Sequence, residues 1–268
     1  MTMNNDIYEI EKISRGELDI YKIYEKYMAS MYLVCGKERA CLIDTAYGLT
    51  NLKNLAASLT NLPVFVINTH GHLDHVMGNR FFDECYLNPA DKELYLEVAK
   101  EFPRLIENPY VKETYGEYIA QDNPPHLTFP STGDISDGDI IDLGGKKLYV
   151  YEIPGHTGGS IMLIDKDEKI CFAGDSIIEH CWLFLNESLS AETYRESLNR
   201  ALKILKEEGI ERIYNGHYAW KPLKISDAEE IVSGLNKIVE GKIEGEYFAN
   251  EGGEGYEYKF GEFSILCK

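Results

Sequence analysis

The chain has 268 residues, 44% of them apolar and 12% aromatic, enough to bury a sizeable core in one large domain or two fused halves. It carries 27 basic against 45 acidic residues, a net charge of −18, and its Lys and Arg do not cluster. That balance repels phosphate backbones and anionic lipid surfaces, so neither a nucleic acid nor a membrane is expected as a partner.

From the N-terminus, short apolar runs at 7–13, 18–24, 31–35 and 40–44 alternate with turn signals and read as a β meander. Residues 49–59 then repeat apolar positions at helical spacing. The run 63–68 reads as a buried strand, 73–82 as the start of a helix, and 84–88 as a further strand. Residues 91–101 are helix-like. Five prolines between 102 and 130 mark an irregular insertion, a lid or pocket wall rather than a separate domain. Strands resume at 139–143, 147–153, 160–165 and 169–173. Ser190 caps a helix that Gly209 ends, a strand follows at 211–214, and Ser226-Asp227 caps a helix running to about residue 240. The tail ends in two runs, 256–260 and 263–267, that read as edge strands. The organisation expected is a single domain over 1–268, with an insertion at about 89–130 and a strand-like tail from about 241. The six cysteines form no C-x-x-C pair and sit mostly in apolar runs, as Cys41 does, so buried reduced thiols and a cytoplasmic location are expected. No signal-peptide pattern opens the sequence, and no stretch approaches the roughly 20 apolar residues of a membrane helix.

The densest chemistry lies in Thr69-His70-Gly71-His72-Leu73-Asp74-His75, with three of the seven histidines and a carboxylate at the end of an apolar strand. Strand ends let side chains converge while the scaffold stays rigid. Three more ligand-type residues follow strands in the same way: His156 in Pro154-Gly155-His156-Thr157, Asp175 in Gly174-Asp175-Ser176, and His217 after Asn215-Gly216. A lone His or Asp in such a place is ordinarily a cap or turn residue. Seven together point to metal binding, and imidazole with carboxylate suits zinc, iron or manganese.

In this order these residues resemble the metallo-β-lactamase-fold superfamily. Asp44, closing a strand ahead of Thr45, fits the same pattern, and the resemblance spans roughly residues 6–220. The Asp137-Gly138-Asp139 turn and the P-G-H-T segment resemble glyoxalase II-like thioesterases and quorum-quenching lactonases. True β-lactamases typically have Cys where this chain has Asp175. The resemblance implies an α+β fold, a four-layer αββα sandwich of two mixed β-sheets. It implies two divalent metal ions, zinc first, with iron or manganese as alternatives. His70, His72 and His156 would bind one ion, Asp74, His75 and His217 the other, and Asp175 would bridge them. The implied reaction is hydrolysis of an ester, lactone or thioester of a small molecule by a metal-bridging hydroxide. Catalytic roles fall on Asp74 as a proton shuttle, on His217, and on its neighbour Tyr218 as a donor to the leaving group or oxyanion.

His180 and Trp182 stand where a pocket wall could form, whereas Asn68 and Thr69 fit local hydrogen bonding and His126 a loop. The acidic, strand-like tail differs from the helical C-terminal domain of glyoxalase II proper and argues against a glutathione thioester. Several members of such families form homodimers. Competing readings are a di-iron redox or oxygen-reducing module, a phosphodiesterase of the same superfamily, and a non-catalytic metal-binding module.

Overall fold

The computed structural model describes residues 2–4, 7–26, 29–109, 112–113, 116, 128–217, 221–250 and 252–268. Its contacts divide the chain into two compact units, one of residues 1–135 and 142–147, the other of 136–141 and 148–268.

The first unit is built on an eight-stranded sheet whose strands lie side by side in chain order. They are β1 (Thr2–Asn4), β2 (Tyr8–Lys12), β3 (Ile20–Glu25), β4 (Ser30–Cys35), β5 (Ala40–Ile43), β6 (Val64–Ile67), β7 (Cys85–Leu87) and β8 (Gly133–Asp134). Pairing is antiparallel from β1 to β5 and parallel from β5 to β8. The change follows the connections. Tight turns join antiparallel neighbours, whereas parallel neighbours need crossovers. Here the crossovers are α1 (Leu52–Leu59), then α2 (Leu73–Val76) with the 3-10 turn Met77–Phe81, then α3 (Lys92–Glu107). Every residue of β4 and β5 is buried, which is why both read as continuous apolar runs rather than alternating ones. Leu33, Leu42 and Val66 centre this core, and each such side chain contributes about 2 kcal/mol on burial.

The second unit holds two sheets. The five-stranded one runs in the order β14-β12-β11-β10-β9, from β9 (Ile140–Asp142), β10 (Lys147–Glu152), β11 (Ile161–Asp165), β12 (Ile170–Phe172) and β14 (Arg212–Tyr214). Its β12 and β14 are parallel and joined through α4 (Ala191–Glu207). The four-stranded one runs β13-β17-β16-β15, from β13 (His180–Leu183), β15 (Glu246–Asn250), β16 (Gly253–Phe260) and β17 (Phe263–Cys267). Tyr194, Leu198, Ala201 and Leu205 of α4 meet Ile231, Leu235 and Ile238 of α5 (Ile225–Val239) in one apolar cluster.

Several sequence expectations need correction. The helix expected over 73–82 is one α-turn followed by a 3-10 turn. The helix expected to stop near 101 runs to Glu107 through Pro103, which forfeits one backbone hydrogen bond on an exposed stretch without ending the helix. Most of the expected insertion beyond it lies outside the described residues. The last helix is capped at Lys224, whose N–H donates to Asp227 Oδ2 at 2.7 Å. The tail strands β16 and β17 are interior members of their sheet, and the edges are β13 and β15.

Candidate metal centre

In the first unit, β6 delivers the packet that the sequence singles out. His70 and His75 are buried, with ring centroids 4.0 Å apart, and His72 meets His70 edge-on at 4.8 Å. Asp44, at the end of β5, holds them from behind. Its Oδ1 accepts the Thr69 N–H at 2.7 Å, and its Oδ2 lies 2.8 Å from the Thr69 hydroxyl and 2.9 Å from His75 Nδ1. A carboxylate only accepts, so His75 Nδ1 carries the proton and Nε2 keeps its lone pair. The Thr69 hydroxyl spends its hydrogen on Asp44 and accepts from His70 Nδ1, 3.1 Å away, which leaves the same lone pair on His70. His75 Nε2 and Asp74 Oδ2 then stand 3.9 Å apart, both electron donors.

The surrounding loop is fixed by side chains on either side. Asn68 Nδ2 donates to the His75 carbonyl at 2.8 Å and Thr45 Oγ1 donates to the same atom at 3.1 Å, so Asn68 has the local role expected of it. Glu25 accepts the N–H groups of Tyr47 and Leu49 at 3.0 and 3.1 Å, while Arg80 donates to the Tyr47 and Met77 carbonyls. Burial pushes the Glu25 carboxyl up to about 7, against the pull of these donors and of Arg80. The Tyr47 phenol is pushed upward by burial and then by the charges of Asp74 and Glu25.

In the second unit, three strand ends converge. Asp175 Oδ2 lies 3.0 Å from His217 Nε2 and 3.7 Å from His156 Nε2. His156 Nδ1 sits 2.7 Å from the Trp182 carbonyl, which can only accept, so Nε2 again bears the lone pair and faces a carboxylate. Gly174 takes φ +50°, a backbone state that favours glycine, to turn Asp175 out of its strand. Gly155 lets the chain pass against Tyr194, where a Cβ would fall 2.3 Å from the ring. Asn215 Oδ1 accepts the His217 N–H at 3.2 Å, and Asn215 Nδ2 donates to Glu179 at 2.7 Å. Burial raises the Glu179 carboxyl above its ordinary value.

In each unit, lone pairs and carboxylate oxygens crowd together in a way that a cation would relieve. Nitrogen and oxygen donors of this kind suit a divalent metal, so the residues present fit the ions expected of them. Of the expected site residues, His70, His72, Asp74 and His75 lie near one another within the first unit, and His156, Asp175 and His217 within the second. Tyr218 and His126 lie outside the described residues. His180 is exposed on β13, its Nδ1 2.9 Å from Ser264 Oγ, and Trp182 on the same strand is 44% exposed. Sequence reasoning missed the Trp182 carbonyl, because a backbone acceptor has no residue signature. It also missed Glu25, Arg80, Glu179 and Asn79, whose Nδ2 donates to Asn68 Oδ1 at 2.7 Å and whose Oδ1 accepts from Thr45 Oγ1 at 2.9 Å; all four lie outside every ligand motif.

A profile of the Metallo-beta-lactamase superfamily matches residues 25–217. The chain belongs to that superfamily, and it is a metallohydrolase of that fold. It is 29% identical to the human acyl-coenzyme A thioesterase MBLAC2 over 71% of this chain and 73% of that protein. It is 27% identical to a probable metallo-hydrolase of Methanocaldococcus jannaschii over 71% and 88% of the two chains. Among solved structures, a metallo-beta-lactamase from Erythrobacter litoralis superposes with a TM-score of 0.61 at 16% identity, covering 88% of this chain and all (100%) of that one. The expected α+β metallo-β-lactamase fold is therefore the observed one.

Proposed function

We propose that the protein is a dinuclear-metal thioesterase that hydrolyses acyl thioesters of the coenzyme A class. The observation that carries this reading is the likeness to acyl-coenzyme A thioesterases across 71% of the chain, beside the superfamily match over residues 25–217, which includes the residues from His70 to His217. His70, His72 and His156 would hold one ion, Asp74, His75 and His217 a second, with Asp175 common to both. Zinc is the ion that buried neutral imidazoles and carboxylates favour. Such ions supply Lewis acidity toward a carbonyl and bring the pKa of water near neutrality.

The chain's own residues do the rest. Asp44 and Thr69 keep His75 and His70 in the ligating tautomer, and the Trp182 carbonyl does the same for His156. Asp74, with 23% of its side chain exposed, is placed to exchange protons with solvent. Tyr218 is the candidate donor to the departing thiolate. The substrate is a small molecule, and six buried thiols are in keeping with a cytoplasmic site of action.

The test is a zinc-loaded preparation assayed on acyl thioesters beside a lactone, a carboxylic ester and a β-lactam. Thioester turnover at least tenfold above the others supports the assignment, and turnover of none of the four classes sinks it. Elemental analysis checks the centre. His75→Ala is expected to lose one metal equivalent, and retention of both equivalents would remove His75 from the ligand set.

A further inference from the structure

A cavity of about 660 Å³ runs along one face of α3, between that helix and residues 128–132. Leu96, Ala99 and Pro103 supply the helical side, and Phe129 and Pro130 stand opposite. Leu96 is 59% exposed there, an energetic cost for an aliphatic side chain. The groove is built rather than incidental. The Tyr95 hydroxyl donates to the Pro130 carbonyl at 2.9 Å, Tyr95 and Phe129 pack edge-to-face at 6.0 Å, and Lys92 pairs with Asp134.

Its charge sets it apart. In a chain of net charge −18, the ionisable groups among the described lining residues are Lys92, Lys100 and the Tyr95 phenol, with no carboxylate. An anionic amphiphile that approaches this face meets Lys100 and the Lys92–Asp134 pair rather than a lining carboxylate, and lysine stems can cover an apolar chain while their ammonium groups stay in water. The groove is also joined to the ligand packet. Tyr95 and Phe129 share an apolar cluster with Leu73 and Val76, which flank Asp74 and His75, and Asp91 at the head of α3 accepts the Gly71 N–H at 2.8 Å.

Resting on the thioesterase reading above, we infer that this groove receives the acyl chain of the substrate, with Lys92 at the end nearest the reacting carbonyl. Its length sets the chain length. From Lys92 to Pro103 the helix rises about 17 Å. A zigzag hydrocarbon, with C–C bonds of about 1.5 Å, covers that distance with roughly 13 carbons.

The experiment measures kcat/KM of the zinc-loaded full chain on saturated acyl-coenzyme A esters from butanoyl to hexadecanoyl. Dodecanoate binding is measured by calorimetry on the same preparations. Expected is a rise of about two- to fourfold per methylene that levels near a dozen carbons. Leu96→Asp lowers the dodecanoyl-to-butanoyl ratio at least tenfold and weakens dodecanoate binding by a similar factor. Ile140→Asp, the same change at an aliphatic side chain 55% exposed elsewhere, keeps the wild-type ratio and affinity. Ala99→Trp, which fills the groove, moves the plateau to shorter chains.

Failure of the groove and failure of the function read differently. Thioester hydrolysis with a flat chain-length profile, and equal dodecanoate binding by wild type and Leu96→Asp, overturns the groove and leaves the function standing. No thioester hydrolysis, with dodecanoate binding that Leu96→Asp still weakens, overturns the function and retains the groove as an acyl-chain site.

Discussion

Asp44 has a left-handed backbone, φ +58°, and its two oxygens serve three partners. Asn tolerates that backbone nearly as well, so Asp44→Asn changes chemistry while keeping shape. An Asn that keeps its single oxygen on the Thr69 N–H would turn its NH2 toward Thr69 Oγ1 and His75 Nδ1. An NH2 facing Nδ1 makes that nitrogen the acceptor and moves the ring proton to Nε2, where a metal can no longer bind. We expect metal affinity to fall by about 10- to 100-fold, the usual cost of losing an outer-shell partner. Competition with a chromophoric chelator measures it. Unchanged affinity, with an unchanged circular dichroism spectrum, would refute the tautomer argument.

Glu25 makes the pH-dependent counterpart. Burial raises its folded value to about 7, against 4.5 in an unstructured chain. Below about pH 4.5 the carboxyl is protonated folded and unfolded alike, and its ionisation costs nothing. Between about 4.5 and 7 the unfolded chain ionises while the folded one keeps its proton, so stability falls as pH rises. Above about 7 the loss is constant, on the order of 3 kcal/mol. Glu25→Gln cannot ionise. Relative to wild type it is expected to gain about that amount between pH 4.5 and 8. Urea unfolding at three pH values tests this, and a stability difference that stays flat across the window would refute it.

At the scale of elements, α4 fixes two of the three ligand loops in the second unit. Tyr194 lays its ring against Gly155, next to His156, and its hydroxyl donates to the Ser176 carbonyl at 2.6 Å, next to Asp175. Tyr194→Phe keeps the ring and leaves that buried carbonyl without this donor, for a loss of about 1–3 kcal/mol. Gly155→Ala instead forces the ring and the His156 loop apart. It is expected to weaken metal binding more than Tyr194→Phe does, even where the two lower the melting temperature alike. Calorimetric metal titration of both variants decides the point, and equal affinities would mean that Tyr194 has only a packing role.

Which elements were legible follows from burial. Strands β4, β5 and β11 are buried at every position and wrote themselves as apolar runs. Strand β15 is exposed at four of its five residues and gains its form from pairing with β16, so it left no periodic trace. Strand β13 is four residues long, and its alternation was too short to stand out. The candidate ligand series was legible because metal binding would demand particular side chains after particular strands. Its supports were not, since a backbone carbonyl or a distant Asn79 carries no such demand.

At the scale of the whole molecule, the proposed ligands span residues 70 to 217 and lie far apart along an unfolded chain. Metal affinity is then largely folding free energy, since the unfolded chain holds no assembled site. At a free ion concentration about 1,000 times the dissociation constant, one site adds roughly 4 kcal/mol, and two sites filled independently add more. Chelation should therefore lower the melting temperature by several degrees or more, and zinc should restore it in proportion to occupancy. His75→Ala, with one ion's ligand set broken, should show a smaller zinc-dependent rise than wild type. His217→Ala should match it, because both side chains are assigned to the same ion. Scanning calorimetry across a zinc titration reads all three proteins. If His75→Ala and His217→Ala instead respond to zinc as wild type does, the assignment of that ion's ligands is wrong, whatever the activity of the loaded enzyme.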